Sequence, residues 1–144
     1  PYIKEVVVCG AHRPFVVAIV SIDLENVGNW AKKRRMAFTT LQDLSQKLEV
    51  YELIRDEIRK LCARFPENIR IRRFALLLKE LHADDEELTR TRKVRRALVN
   101  ERYGGLIADL YGSGSEHGLD IRIRYEDGRD ASFAGSIRMA EVYR

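Results

Sequence analysis

The 144-residue chain has little cysteine and histidine and no long apolar run. Its two cysteines, Cys9 and Cys62, lie far apart and match no metal or redox spacing, so we expect buried free thiols in a reducing compartment. The three histidines, His12, His82 and His117, are scattered, and we predict no metal site. No apolar stretch approaches the roughly 20 residues of a membrane-spanning helix, and no basic-then-apolar signal pattern is present. These absences predict a cytoplasmic protein.

The composition is that of a globular domain. Hydrophobic residues make up 45% of the chain and charged residues 33%, which supplies a core and a solvated surface. A net charge of +4 permits an anionic partner without requiring one. Because Pro1 leads directly into a strand-like run, we expect the chain to be a fragment of a longer protein.

The first part of the chain predicts two strands and a helix. Residues 3–9 and 15–22 are rich in β-branched residues and are separated by a turn-like segment, which favours two buried strands. Asp23 can cap a helix whose apolar positions recur at helical spacing. The basic run 32–35 is typical of a helix end, and Trp30 beside the apolar positions is interpreted as a core residue.

The clearest helix follows a polar segment, 39–46, that we interpret as a loop or short turn. Between residue 50 and Pro66, one face is apolar and the other charged, which is the pattern of an amphipathic helix. The apolar stripe is Val50, Ile54, Ile58, Leu61 and Phe65. The residues expected to face water are Glu52, Arg55, Asp56, Glu57, Arg59 and Lys60.

A third strand and another helix are predicted downstream. The strand covers 71–81, and an acidic loop follows it at 83–87. The helix covers 94–103, and the glycine pair at 104–105 interrupts it. Its predicted apolar face is Val94, Ala97 and Leu98.

The tail predicts a hairpin after a Gly/Ser spacer. Apolar and polar residues alternate on both of its strands, so each strand buries one face. A two-residue turn at 127–128 would place the two apolar sets on opposite faces. A three-residue loop, 126–128, sets Ile121 opposite Phe133, Ile123 opposite Ala131 and Arg124 opposite Asp130. We predict that second register, since one-sided burial fixes strand pairing.

These elements predict an α+β fold, with a small sheet of about three core strands, helices packed on it and a C-terminal β-hairpin extension. We divide the chain into one domain at 1–111, a spacer at 112–117 and the hairpin at 118–144.

One segment concentrates positive charge at the start of a helix. Two threonines and five basic residues fall within the eight positions 89–96. The exposed amides of a helix N-terminus and adjacent cations together favour an anion such as a polyphosphate or a carboxylate.

The pattern Leu-Thr-x-Thr-x-Lys-x-Arg-Arg at 88–96 resembles the last core motif of the adenylate-forming enzymes, and within them the long-chain acyl-CoA synthetase branch. Residues 1–8 resemble the strand that opens the body of the C-terminal lid domain in that family. The run 29–31, Asn-Trp-Ala, and Pro66 after a charged helix also resemble the branch. The resemblance covers about residues 1–111 in order.

The resemblance implies a two-step reaction. A fatty acid and ATP form an acyl-adenylate, and coenzyme A then displaces AMP to give a thioester. Lys93 corresponds to the lysine that assists the first step, where its ammonium lies between two anionic groups. Thr89, Thr91, Arg92, Arg95 and Arg96 are expected to contact phosphate or to dock the domain.

The expected partner is the N-terminal adenylation domain of the same chain, which would bind most of the ATP, Mg²⁺ and CoA. The isolated 144-residue chain is therefore expected to be inactive. No nucleic acid partner is expected, peripheral membrane contact of the full-length enzyme stays open, and so does the oligomeric state.

The sequence departs from the family pattern in three ways. Arg90 stands where relatives commonly have proline, which puts the docking of the loop in doubt. The hinge and the glycine-containing hairpin that precede this region in the family are absent from the sequence. Residues 118–144 do not map onto the common core.

Two other functions are compatible with the basic segment. It could bind nucleic acid, or it could be the docking face of a protein-interaction module. Against nucleic acid, the cluster is short, no aromatics interleave it and the chain carries 22 acidic residues. The acidic run 84–87 lacks the spaced ligands of a calcium site, and we interpret it as solvated surface.

Overall fold

The computed structural model describes residues 2–10, 13–78, 96–124 and 130–143, without the side chains of 119–124 and 130–134. The elements are β1 (Ile3–Cys9), β2 (Val16–Ile22), α1 (Leu24–Lys33), α2 (Leu41–Ser45), α3 (Leu48–Cys62), a 3-10 turn (Glu67–Ile69), β3 (Ile71–Leu76), α4 (Arg96–Arg102), α5 (Gly104–Leu110), β4 (Glu116–Arg124) and β5 (Asp130–Glu141). The predicted α+β fold is confirmed.

The five strands form one sheet in the order β1-β2-β3-β5-β4. Only β2 and β3 pair in parallel; the other neighbours are antiparallel. A parallel pair needs a crossover connection, and the helices α1 to α3 supply it. The C-terminal hairpin is continuous with the core sheet, because β5 pairs with β3.

Helices cover both faces of the sheet. On one face, α1, α2 and α3 pack against alternate residues of β2 and β3, with Phe74 and Ile54 fully buried among them. On the other face, α4 and α5 pack against the intervening residues through Val99, Leu106 and Leu110. The buried strand β2 therefore supplies both cores, which explains its continuous apolar run.

Helix α1 begins and ends where the sequence predicts. The Asp23 side chain accepts a hydrogen bond from the Asn26 amide at 2.9 Å, which caps its first turn. At the other end the amides of Arg35 and Met36 donate to the carbonyls of Lys32 and Ala31, a Schellman arrangement. It requires a left-handed residue, and Arg35 has φ 57°.

Two predictions around α3 are wrong. Within 39–46, predicted to be a loop or short turn, residues 41–45 form the short helix α2, whose cap Thr40 accepts from the Asp43 amide at 3.1 Å. The apolar stripe continues through Cys62, which is fully buried, whereas Leu61 is 52% exposed and Phe65 41% exposed. Spacings of three and of four residues from Ile58 both lie on one helical face, and in the structure the buried position is Cys62.

Some other boundaries shift. Strand β3 ends at Leu76, before the predicted 81, and α4 buries Val99 while Ala97 is exposed. The predicted hairpin register is confirmed, with Ile121 opposite Phe133 and Ile123 opposite Ala131. Its loop, 126–128, lies outside the described residues.

The Gly/Ser segment after α5 is held in place, although its composition predicts a flexible spacer. The buried Arg73 guanidinium donates to the carbonyl of Leu110 at 2.9 Å and also to those of Gly112 and Gly114. Arg73 thus satisfies carbonyl groups at the C-terminal end of α5, which helix geometry leaves without partners.

Candidate functional site

The basic motif connects β3 to α4. The last residue described before it is Leu78, and α4 begins at Arg96. Five of the predicted site residues lie outside the described residues, namely Thr89, Thr91, Arg92, Lys93 and Arg95. We call residues 79–95, between Leu78 and Arg96, the motif segment. The structure shows how the residues on either side of it are held, and it describes one predicted site residue, Arg96.

Arg96 anchors the beginning of α4 to the sheet. Its Nη1 donates to the Val8 carbonyl of β1 at 2.8 Å. Its side chain lines a groove of about 320 Å³ together with Cys9, Arg13 and Asn100. The residue predicted to contact phosphate or to dock the domain thus contacts its own sheet through one nitrogen.

Cys9 faces the same groove and is half-buried, less than predicted, whereas Cys62 is fully buried; both thiols are free. Burial raises the pKa of the Cys9 thiol, and the nearby Arg96 guanidinium opposes part of that rise. A thiol with a raised pKa is protonated at neutral pH and is a weak nucleophile. Cys9 packs against the core that β2 and β3 form with α4 and α5.

The start of the motif segment is fixed where β3 and β5 separate. Their last pair is Ala75 with Met139, and continuing the register would pair Leu76 with Arg138. The Tyr51 hydroxyl lies between these two residues, where it accepts from the Leu76 amide at 3.1 Å and donates to the Arg138 carbonyl at 2.6 Å.

The Gln46 side chain bridges the same two backbones. Its amide nitrogen donates to the Leu76 carbonyl at 3.0 Å, and its amide oxygen accepts from the Arg138 amide at 2.9 Å. We call Gln46 and Tyr51 together the polar wedge. It replaces both hydrogen bonds of the pair that the sheet would otherwise form.

Helix α3 holds the rest of β5 with two arginines that the sequence analysis placed in water. Arg55, which is 7% exposed, donates from Nε to the Glu141 carbonyl at 2.7 Å. Arg59 donates from Nε to the Val142 carbonyl at 2.6 Å. The two arginines and Tyr51 recur every four positions. That spacing, beside an apolar stripe, is the sequence signal that could have identified them as residues that face the sheet.

A second cleft, of about 600 Å³, lies at the opposite end of β3 and contains Arg70, Arg72 and Arg73. Arg70 donates to the Phe65 carbonyl at 2.9 Å, and Arg72 lies 5.8 Å from the centre of the Phe15 ring. Arg73 donates to the Leu110 carbonyl at the C-terminal end of α5. These cations make internal contacts, so their number alone does not define a ligand site.

Within the described ranges, no three His, Cys, Asp or Glu side chains could together hold a metal ion. None of the described helices is long and apolar enough to cross a membrane. We assign nothing on this part of the chain to Mg²⁺.

Residues 1–115 match the family model for the C-terminal domain of AMP-binding enzymes. The chain therefore belongs to this family of C-terminal domains. The match ends immediately before the hairpin, whose first strand begins at Glu116.

Two curated relatives are similar over 112 residues at 29% identity. They are the long-chain-fatty-acid–CoA ligases FadD15 of Mycobacterium tuberculosis and of Mycobacterium bovis. The match covers 77% of this chain but 19% of each relative, so the chain spans about a fifth of their length.

Two solved structures share the fold. One is the adenylation domain of a carboxylate reductase from Mycobacterium chelonae, with a TM-score of 0.58 and 21% identity over 78% of this chain and 16% of that one. The other is a didomain of a carboxylic acid reductase from Segniliparus rugosus in complex with AMP, with a TM-score of 0.56 and 18% identity over 77% of this chain and 14% of that one.

Proposed function

We propose that this chain is the mobile C-terminal lid of a long-chain acyl-CoA synthetase and that Lys93 assists formation of the fatty acyl-adenylate. The observation that supports the proposal most is the family match over residues 1–115, a range that contains the motif at 88–96. The similarity to two fatty-acid–CoA ligases supports the long-chain branch.

The chemistry of the first step explains the need for a lysine. A fatty carboxylate attacks the α-phosphate of ATP, so two anionic groups must approach each other. An ammonium group placed between them offsets that repulsion and stabilises the charge of the transition state. Bond formation to phosphorus releases pyrophosphate, and CoA thiolate later attacks the acyl carbon and releases AMP.

The described ends of the motif segment suit this role. Leu77 is buried and its amide donates to the Val20 carbonyl at 2.8 Å, so β3 delivers the segment from a rigid core. At the other end, Arg96 anchors α4 on β1. Lys93 precedes this anchored residue by three positions in the chain, so the fixed start of α4 lies close to it in sequence.

The test is Lys93→Ala in the intact enzyme. With palmitate, ATP and labelled pyrophosphate, we expect the exchange rate that reports adenylate formation to fall about 10²–10³-fold, the usual loss for one preorganised donor. Thioester formation from supplied palmitoyl-adenylate and CoA should persist, because the lid is proposed to rotate between the two steps.

Lys60→Ala is the matched control, since the side chain of Lys60 is 76% exposed on α3. It should leave both half-reactions unchanged. Equal losses in the two half-reactions of Lys93→Ala would contradict the proposed role. The isolated chain is expected to have no synthetase activity, because the proposal assigns the main ATP, Mg²⁺ and CoA contacts to the large domain.

A further inference from the structure

We propose that Gln46 and Tyr51 are positioning residues, and that the polar wedge they form sets where the segment bearing Lys93 leaves the sheet. The inference rests on the proposed function, because it assigns the wedge a part in adenylate formation. It concerns residues on α3 and just after α2, which lie far from the motif in sequence.

The sheet splits where the pairing of β3 with β5 ends, after Ala75 and Met139. Strand β3 leads into the motif segment, whereas β5 continues away with β4. Both backbone groups of Leu76 that face β5 lose their ladder partners at the split. Leu76 is fully buried, so water cannot replace those partners.

The wedge supplies a partner for each backbone group that the split leaves without one. Leu76 and Arg138 together present two donors and two acceptors, and the wedge meets all four with four hydrogen bonds. A hydroxyl can accept and donate at once, and a carboxamide can do the same. An apolar residue at either position would leave a buried backbone group unpaired.

The wedge is held in place by burial, by ring stacking and by a further hydrogen bond. Tyr51 is 2% exposed, and its ring stacks on Phe74 with centroids 5.5 Å apart. Burial raises the pKa of Tyr51, so its hydroxyl stays neutral over the working range and keeps both roles. The Arg138 side chain also returns to the wedge, because its Nε donates to the Gln46 carbonyl at 2.9 Å.

These contacts fix the last residues before the motif segment. Leu76 is held by the wedge on one side, and the Leu77 amide bonds β2 on the other. In the proposed role, a shift of this exit point changes how the segment after Leu78, which carries Lys93, is presented to a substrate bound by another domain. Displacements of about 1 Å at a distance from the chemistry can lower rates roughly 10²-fold.

The test uses Tyr51→Phe and Gln46→Met in the intact enzyme. Tyr51→Phe keeps the ring that stacks on Phe74 and removes the hydroxyl, and Gln46→Met keeps the chain length and removes the amide. We expect each variant to slow adenylate formation about tenfold, within the range that misplacement produces. Thioester formation from supplied palmitoyl-adenylate should be unchanged.

Tyr111→Phe is the matched control. It removes a hydroxyl that donates to the Cys9 carbonyl at 3.0 Å and takes no part in the four hydrogen bonds of the wedge. A general loss of stability would slow both half-reactions, whereas loss of positioning slows only the first. Full adenylate formation in both wedge variants, or equal loss in both half-reactions, would overturn the inference.

Lys93→Ala, measured in parallel, separates this inference from the proposed function. If Lys93→Ala slows only adenylate formation and the wedge variants do not, the wedge is structural and the proposed function stands. If Lys93→Ala does not discriminate between the half-reactions, the proposed function fails and the inference fails with it.

Discussion

Helix α3 carries two neighbouring stripes that hold different parts of the domain. The apolar stripe, Val50, Ile54, Ile58 and Cys62, is buried against β2 and β3. The polar stripe, Tyr51, Arg55 and Arg59, donates to backbone carbonyls of β5 and of Val142, just beyond its end. Each polar residue follows an apolar one by a single position. Burial of the apolar stripe thus holds α3 against β2 and β3. Directed hydrogen bonds from the polar stripe attach the helix to the last strand.

The two stripes should differ in what their loss does. Burial is shared among many neighbours, so an apolar truncation lowers the free energy of unfolding of the whole domain. A hydrogen bond to one carbonyl is local, so its loss should loosen β5 first.

Ile54→Ala should produce the largest loss. Ile54 is fully buried at the centre of the apolar stripe, and the truncation removes contacts and leaves a cavity. We expect the free energy of unfolding to fall by about 2–5 kcal/mol, measured by urea denaturation. Leu61→Ala is the control, because Leu61 is 52% exposed. A comparable loss in Leu61→Ala would restore the stripe that the sequence analysis predicted.

The buried face of α3 shows what the sequence could and could not predict. Periodicity identified α3 and most of its apolar stripe, but it placed Leu61 in the stripe where the structure buries Cys62, since both spacings occur on one helical face. The hairpin register was predictable because shifting it by one residue would turn the apolar residues to the other face. The helix α2 was missed because five residues show too little periodicity.

The contacts of the polar stripe and of the wedge were not predictable in the same way. Arg55 and Glu141 are 86 positions apart, and Gln46 and Arg138 are 92 apart. Charge at Arg55 predicts exposure unless the distant acceptor is known. The candidate site itself came from the resemblance at 88–96, because local chemistry alone indicates only an anion-binding helix start.

Arg55→Met should give a smaller, more local loss. Methionine preserves most of the side-chain packing, but the Glu141 carbonyl loses a charged donor, and the contact of Arg55 Nη1 with Glu52 at 2.7 Å is lost too. We expect about 2 kcal/mol of destabilisation, the usual range for a hydrogen bond to a charged group. Hydrogen exchange of the Val142 amide, which bonds the Arg72 carbonyl, should accelerate more than exchange in β2.

The exposed Arg64, just beyond α3, provides the matched control for that substitution. Arg64→Met removes the same charge without removing a described hydrogen bond, and it should leave both measurements unchanged. Uniform acceleration of exchange across the sheet in Arg55→Met would show that the polar stripe supports the whole core, which would remove the distinction between the stripes.

Arg59→Met should have the smallest effect of the three. Arg59 donates to the Val142 carbonyl at 2.6 Å, but its side chain is only partly buried and its guanidinium lies 6.0 Å from the centre of the exposed Tyr143 ring. Water can replace part of what is lost, so we expect about 1 kcal/mol of destabilisation by urea denaturation. Because the polar stripe becomes less buried from Tyr51 to Arg59, the effects should decrease in that direction. A loss for Arg59→Met larger than that for Arg55→Met would mean that the end of β5, and not burial along α3, determines how strongly the last strand is held.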